Sequence, residues 1–149
     1  MKECRGDLFN HPADAIVITT NPIINSAGLT VMGRGVAFQA AQKYPWLRKA
    51  LAQRLTRHGN HVYVFGTWDY GVDQTLVTLP VKHHWKDKAD WMLINHSILE
   101  LVRLTDALGW ESVALCRPGC GNGGLDWPRV KALIERHLDD RFVVIERES

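Results

Sequence analysis

Two unbroken runs of apolar, mostly β-branched residues constrain this chain most: Ala15-Ile16-Val17-Ile18 and Phe142-Val143-Val144-Ile145. A strand with one face in water alternates apolar and polar side chains. A continuous run suits a strand that helices cover on both faces. Strands are predicted over residues 2–5, 15–19, 61–65, 75–79, 112–116 and 142–145. Helical patterns lie between them, over 35–43, 46–57, 89–108 and 127–138. In the third helix Trp91, Ile94, Ile98, Leu101, Leu104 and Leu108 recur at helical spacing, and Gly109 follows as a C-cap would. The alternation predicts an α/β layered fold with a largely parallel sheet. The 149 residues contain no internal repeat and no low-complexity linker, so one domain over 1–149 is expected.

Composition excludes several classes. The formal net charge is +2, too mild to imply nucleic-acid binding by itself, although a local basic patch is compatible with it. No apolar run is long enough to span a bilayer, and Met1-Lys2-Glu3-Cys4-Arg5 leads into no signal-peptide core. The expectation is a soluble, cytoplasmic protein with no membrane partner. Cysteine occurs at positions 4, 116 and 120, an odd count without framework spacing, which argues for reduced thiols. Cys116 and Cys120 have no second Cys or His pair nearby, so neither a metal nor another cofactor is expected.

In parallel sheets, ligands sit in loops beyond the carboxyl ends of the strands. The loops after Thr19, Leu79 and Cys116 are therefore the places to look. The richest is Arg117-Pro118-Gly119-Cys120-Gly121-Asn122-Gly123-Gly124-Leu125-Asp126-Trp127. Four glycines in the six residues from Gly119 to Gly124 let successive backbone N–H groups converge on an anion. The helix that follows aims its positive end at the same loop. Asp126 stands where it could cap that helix or serve as a base. No Gly-Lys-Ser/Thr follows, so this is not a Walker loop. Gly119, Gly121 and Gly124 do satisfy G-x-G-x-x-G, and Glu146 stands where a ribose-binding acid would. A dinucleotide fold places most of its sheet after that fingerprint, and here only one strand remains.

A second cluster, Val31-Met32-Gly33-Arg34-Gly35-Val36-Ala37, opens a helix; together the two could grip a diphosphate from two sides. After the first strand, Asp7 of Gly6-Asp7-Leu8-Phe9 could accept from a base amino group and Phe9 could pack on a ring, or the segment is a plain turn. In Leu79-Pro80-Val81-Lys82-His83-His84-Trp85-Lys86-Asp87-Lys88, Lys82 lies just past a buried strand. It reads either as a solvated lysine or as a partly desolvated nucleophile or base. Trp85 among Lys and His suits stacking on a nucleobase. His83 and His84 are adjacent and point opposite ways in an extended segment.

Gly6-Asp7-Leu8-Phe9, the strand over 15–19, Met32-Gly33-Arg34-Gly35-Val36-Ala37 and Gly119-Cys120-Gly121 occur in macrodomain order. The chain resembles the macrodomain class that includes terminal ADP-ribose protein glycohydrolase and the DarG antitoxins, from about Arg5 to Ile145. The segment Leu79 to Trp85 is similar to the one that carries the DarG lysine. The resemblance implies a three-layer α/β/α sandwich with a mixed, largely parallel sheet and ADP-ribose across the strand ends. It implies that Asp7 and Leu8 meet adenine. It gives the diphosphate and distal ribose to Met32, Gly33, Arg34, Gly35 and Val36, and to Gly119, Cys120, Gly121, Asn122, Gly123 and Gly124. Thr20 and Asn21 fall near the distal ribose, and Lys82 matches the catalytic lysine, with Asn21 and Asp126 as further catalytic candidates.

Two departures stand out. Gly123 occupies the position of the protein glycohydrolase's aspartate, with Asp126 three residues later. The loop 22–30 is longer than usual and could act as a lid. The implied activity is a glycohydrolase that removes ADP-ribose from a nucleobase or an acidic side chain. The alternatives are a non-catalytic ADP-ribose-binding module and a phosphatase acting on ADP-ribose 1″-phosphate. The implied partners are ADP-ribose or ADP-ribosylated DNA or protein, met by a monomer.

Overall fold

Side chains of a strand alternate between its two faces, so a run of apolar residues needs a core on each side. The computed structural model describes residues 1–147. Its strands are β1 (Lys2–Gly6), β2 (Ala15–Thr20), β3 (Tyr63–Phe65), β4 (Thr75–Pro80), β5 (Val113–Cys116) and β6 (Phe142–Arg147). They form one sheet in the order β1-β6-β5-β2-β4-β3. All neighbours pair parallel except β3, which joins the edge antiparallel to β4.

Ala15 and Val17 of β2 face one core with Val77, Leu79, Val113, Leu115, Phe142 and Val144. Helices α4 (Trp91–Leu108) and α5 (Trp127–Ile134) close that side with Ile94, Ile98, Leu101, Val130 and Ile134. Ile16 and Ile18 face the other way, onto Leu76 and Phe65, under α1 (Gly35–Lys43) and α2 (Leu47–His58). Ala40, Leu47, Leu51 and Leu55 seal this second core. Burying one such aliphatic side chain is worth about 1.5–3 kcal/mol, so both halves of each run contribute. The result is the expected α/β/α layering with a mixed, mostly parallel sheet.

Several boundaries differ from the sequence expectation. Helix α4 begins at Trp91, because Asp90 takes the cap position and its Oδ1 accepts the N–H groups of Met92 (2.8 Å) and Leu93 (3.3 Å). Ala89 stays outside the helix and donates its N–H to the Gly123 carbonyl at 2.9 Å. Helix α5 stops at Ile134 and not at 138, because the N–H groups of His137 and Leu138 both turn back to the Ile134 carbonyl. A one-turn helix, α3 (Thr67–Tyr70), is too short for periodicity to reveal. Among the described residues, no helix is long and apolar enough to cross a membrane.

The parallel strands end at one edge of the sheet, and antiparallel β3 begins there. That brings Asn60 to β4's end, where its Nδ2 donates to the Lys82 carbonyl at 3.2 Å. Buried Ser97 of α4 donates to the Pro80 carbonyl at 2.7 Å. The segment carrying Lys82 is thus held from both sides.

The Asp90 carboxylate is held below its usual range, first by the hydrogen bond with His83 and then by the Leu93 and Met92 N–H groups. A depressed folded-state pKa adds stability above the unfolded carboxylate's titration and loses it as pH falls through the folded value. Asp90→Ala should cost about 1 kcal/mol near neutrality, as lost caps do. Urea unfolding should show that deficit shrinking once the pH drops well below about 3.9, the ordinary aspartate value.

Candidate ligand-binding site

The loop after β5 is built by its own backbone bonds. Cys120 N–H reaches the Arg117 carbonyl (3.3 Å), and Leu125 N–H reaches that of Gly119 (3.0 Å). Gly124 N–H returns to Gly121 (3.0 Å) and closes a single 3-10 turn over Gly121–Gly123. Gly119 has φ +74°, and a Cβ there would lie 2.6 Å from Ile94 Cδ1 on α4. Its missing side chain is a packing requirement. Gly121 has φ +69° and nothing within 4 Å of its Cβ position, so it faces open space. The N–H groups of Gly121 and Asn122 have no acceptor among the described residues.

The second glycine cluster ends in the same way. Helix α1 starts at Gly35, and its cap residue Arg34 makes no side-chain bond to the first turn. The first N–H groups of a helix have no partner within it, so Gly35, Val36 and Ala37 present theirs outward. A Cβ at Gly35 would lie 3.1 Å from Asn122 Nδ2. Two open helical turns therefore abut at Asn122, each bringing the positive end of its peptide dipoles.

Lys82 reaches this junction from β4. Its Nζ donates to the Asn122 carbonyl at 3.2 Å and to the Trp85 carbonyl at 3.4 Å. The half-exposed Trp85 lies on the turn that follows, with Lys86 Nζ 5.1 Å from its ring centroid. His83 and His84 diverge as expected. His83 Nε2 meets Asp90 Oδ2 at 2.8 Å, while His84 Nδ1 accepts the Lys86 N–H.

At the β1 end of the edge, a cleft of about 500 Å³ opens between Gly6–Asn10 and α1. That volume is in the range of small-molecule pockets. Asp7, Leu8 and Val36 line it, as does Phe9. Asp7 also caps the local turn, with Oδ1 accepting Phe9 N–H (3.0 Å) and Oδ2 accepting Asn10 Nδ2 (2.7 Å). Gln39, Lys43 and Arg147 line the cleft too and were not anticipated. For Gln39 and Lys43 the available signal was helical spacing, since they share one face of α1 with Val36; Arg147, at the end of β6, had none.

Other candidates land elsewhere or do something different. Thr20 and Met32 are buried; Gly33 and Arg34 are exposed. Asn21 uses both ends of its amide on the next loop, donating to the Val31 carbonyl (2.9 Å) and accepting Ile23 N–H (3.0 Å). That loop is no loose flap. Ile24 bridges Thr30, Asn25 Oδ1 accepts from Ala27 and Leu29, and Arg48 of α2 holds the Thr30 carbonyl at 2.9 Å. Asp126 occupies the cap position of α5, but its exposed side chain caps nothing and has no hydrogen bond or ion pair among the described residues. Glu146 is taken by Arg5 (3.1 Å) and Arg117 (3.3 Å), which removes it as a ribose acid. Burial pushes the Cys120 thiol up to about 11, against the pull of Arg117. It is neutral near pH 7 and no nucleophile.

Gly119→Ala should destabilise the fold by about 2–4 kcal/mol in urea titration, because left-handed backbone strain and overpacking add. Gly121→Ala carries only the backbone cost, about 1–2 kcal/mol. Equal losses would mean that the open space at Gly121 closes in solution.

Comparison with known proteins agrees with this geometry. A family model described as Macro domain matches residues 19–134. The DNA ADP-ribosyl glycohydrolase of Thermus aquaticus is 30% identical over 138 residues, 91% of this chain and 37% of that protein. The protein of the same name from Mycobacterium tuberculosis is 30% identical over 129 residues, 85% of this chain and 35% of that protein. The chain thus spans little more than a third of the length of these curated relatives. Among solved structures, the macrodomain of Mycobacterium tuberculosis DarG superposes with a TM-score of 0.81 at 27% identity, over 99% of this chain and 97% of the other. The macrodomain of Thermus aquaticus DarG gives 0.81 at 29% identity over the same shares.

Proposed function

The chain belongs to the macrodomain family, and on that premise we propose that it binds ADP-ribose along the carboxyl edge of its sheet and releases it from a modified nucleobase in DNA. The observation that carries this proposal is the meeting of two uncapped helical turns at Asn122, with Lys82 Nζ 3.2 Å from that residue's carbonyl. Unpaired N–H groups from Gly35–Ala37 and from Gly121 and Asn122 offer a diphosphate what it needs, and Arg34 adds a nearby charge. Adenine lies in the cleft, against Asp7, Leu8 and Phe9. The distal ribose then falls toward Thr20, Asn21 and Lys82. Asn21 acts as a positioning residue that braces the wall of loop 22–31.

In the hydrolysis, the bond from C1″ to the base breaks and its electron pair leaves with the base. Water supplies hydroxyl to C1″ and a proton to the base. Lys82 is the catalytic residue. It either protonates the departing base as an ammonium or attacks C1″ as an amine, in an adduct that water then resolves. The carbonyls of Asn122 and Trp85 engage two of its donors and leave the third N–H of the ammonium, or the lone pair of the amine, for either role. The activity is the one for which the DNA ADP-ribosyl glycohydrolase relatives are named. A second reading, binding without turnover, draws on Gly123 and on the unpartnered, exposed Asp126.

Titration calorimetry with ADP-ribose in chelator should give micromolar or tighter binding, roughly −8 kcal/mol or better. No heat would overturn the proposal. Lys82→Ala should lower release of ADP-ribose from modified single-stranded DNA by about 100-fold or more, with product affinity nearly unchanged. Equal turnover by wild type and variant would remove Lys82 from the chemistry. Glutamate-modified protein and ADP-ribose 1″-phosphate, run in parallel, identify the substrate. Asp126→Asn reports whether that carboxylate replaces the missing aspartate. Inactivity of the wild type on all three leaves a binding module.

A further inference from the structure

We propose a second site, for a divalent transition-metal ion, formed by His61, His96 and Glu100 on the surface between the start of β3 and helix α4. The ligand atoms come from segments 35 residues apart in sequence, and all lie within 4.8 Å of one another. His61 Nδ1 is 3.3 Å and His96 Nε2 is 3.4 Å from the same oxygen, Glu100 Oε1. Zinc holds nitrogen and oxygen ligands at about 2.0–2.1 Å, which sets tetrahedral neighbours about 3.3–3.4 Å apart. The two observed separations already match that edge. His96 and Glu100 stand at i and i+4 on one helix face, a rigid half-site, and His61 closes it from the facing loop. Two imidazoles and one carboxylate suit zinc, nickel or copper over magnesium or calcium. Both histidines are exposed, so the ion keeps at least one position for water.

The residue beside each histidine holds the backbone that carries Lys82. Asn60 binds the Lys82 carbonyl, and Ser97 binds that of Pro80. An ion between His61 and α4 would tie these two supports together. His96 and Glu100 alone are an ordinary helix pair, and only the fold brings His61, 35 residues before His96, to them.

The test is zinc uptake by the whole protein in a non-chelating buffer, followed by calorimetry and by the thermal midpoint. One saturable ion per chain and a raised midpoint are expected. His96→Ala and Glu100→Gln should each weaken uptake by about tenfold or more, and His58→Ala, an exposed histidine outside the cluster, should not. Cobalt in place of zinc should give visible absorption that the His96→Ala protein lacks. Glu100→Gln keeps the side chain's shape, and an unchanged metal-free thermal midpoint assigns its loss of uptake to the missing carboxylate. No saturable uptake by the wild type, or uptake equal in all variants, overturns the site and leaves an ordinary cluster of ion pairs.

Discussion

Everything in this fold follows from the pairing of β2 with a parallel strand on each side. Parallel neighbours cannot be joined by a hairpin; the chain must cross a face of the sheet before it returns. Every crossing here starts at the carboxyl edge. The loops after β2, β4 and β5 are therefore neighbours in space although they are far apart in sequence. In the register Thr20 lies opposite Pro80, so the segments beginning at Asn21 and Val81 leave the sheet side by side. The glycine turns and Lys82 meet because the strands beneath them leave no other place to go.

The layers were legible because burial on both faces writes itself into composition, as in Ala15–Ile18. The glycine loops were legible because few residues tolerate such turns. What sequence did not show is which partner each polar group takes. Asp126 had the position of a cap and the chemistry of a base, and its exposed carboxylate makes no cap hydrogen bond in this geometry. Glu146 satisfied a fingerprint by spacing, and two arginines claim it through tertiary contacts 141 and 29 residues away. Helix α3 was invisible because four residues carry no period. Loop 22–30 looked slack because its bonds, made by Asn21, Asn25 and Arg48, depend on a fold that the local sequence does not announce.

The glycines also divide in a way that counting them cannot show. Gly119 is consumed by packing on Ile94, whereas Gly121 is free on its outer side. Only the second kind leaves room for a ligand. Charge behaves similarly. A net +2 says little about partners, yet Lys43 and Arg147 line the cleft and Lys82 stands at the junction, while Glu146 is neutralised locally. The edge is cationic where the whole chain is nearly balanced.

The terminal strands have a practical corollary. Because β1 and β6 run parallel as neighbours, Met1 and Arg147, the first and last described residues, lie at opposite edges of the sheet. Met1 is at the far edge, with its amino group 3.2 Å from Asp140. Arg147 is beside Gly6 and lines the cleft. A surface tether or reporter fused at residue 1 leaves the cleft mouth clear at the cost of one exposed ion pair. The same cargo attached after Arg147 begins at the rim, where it competes with whatever enters.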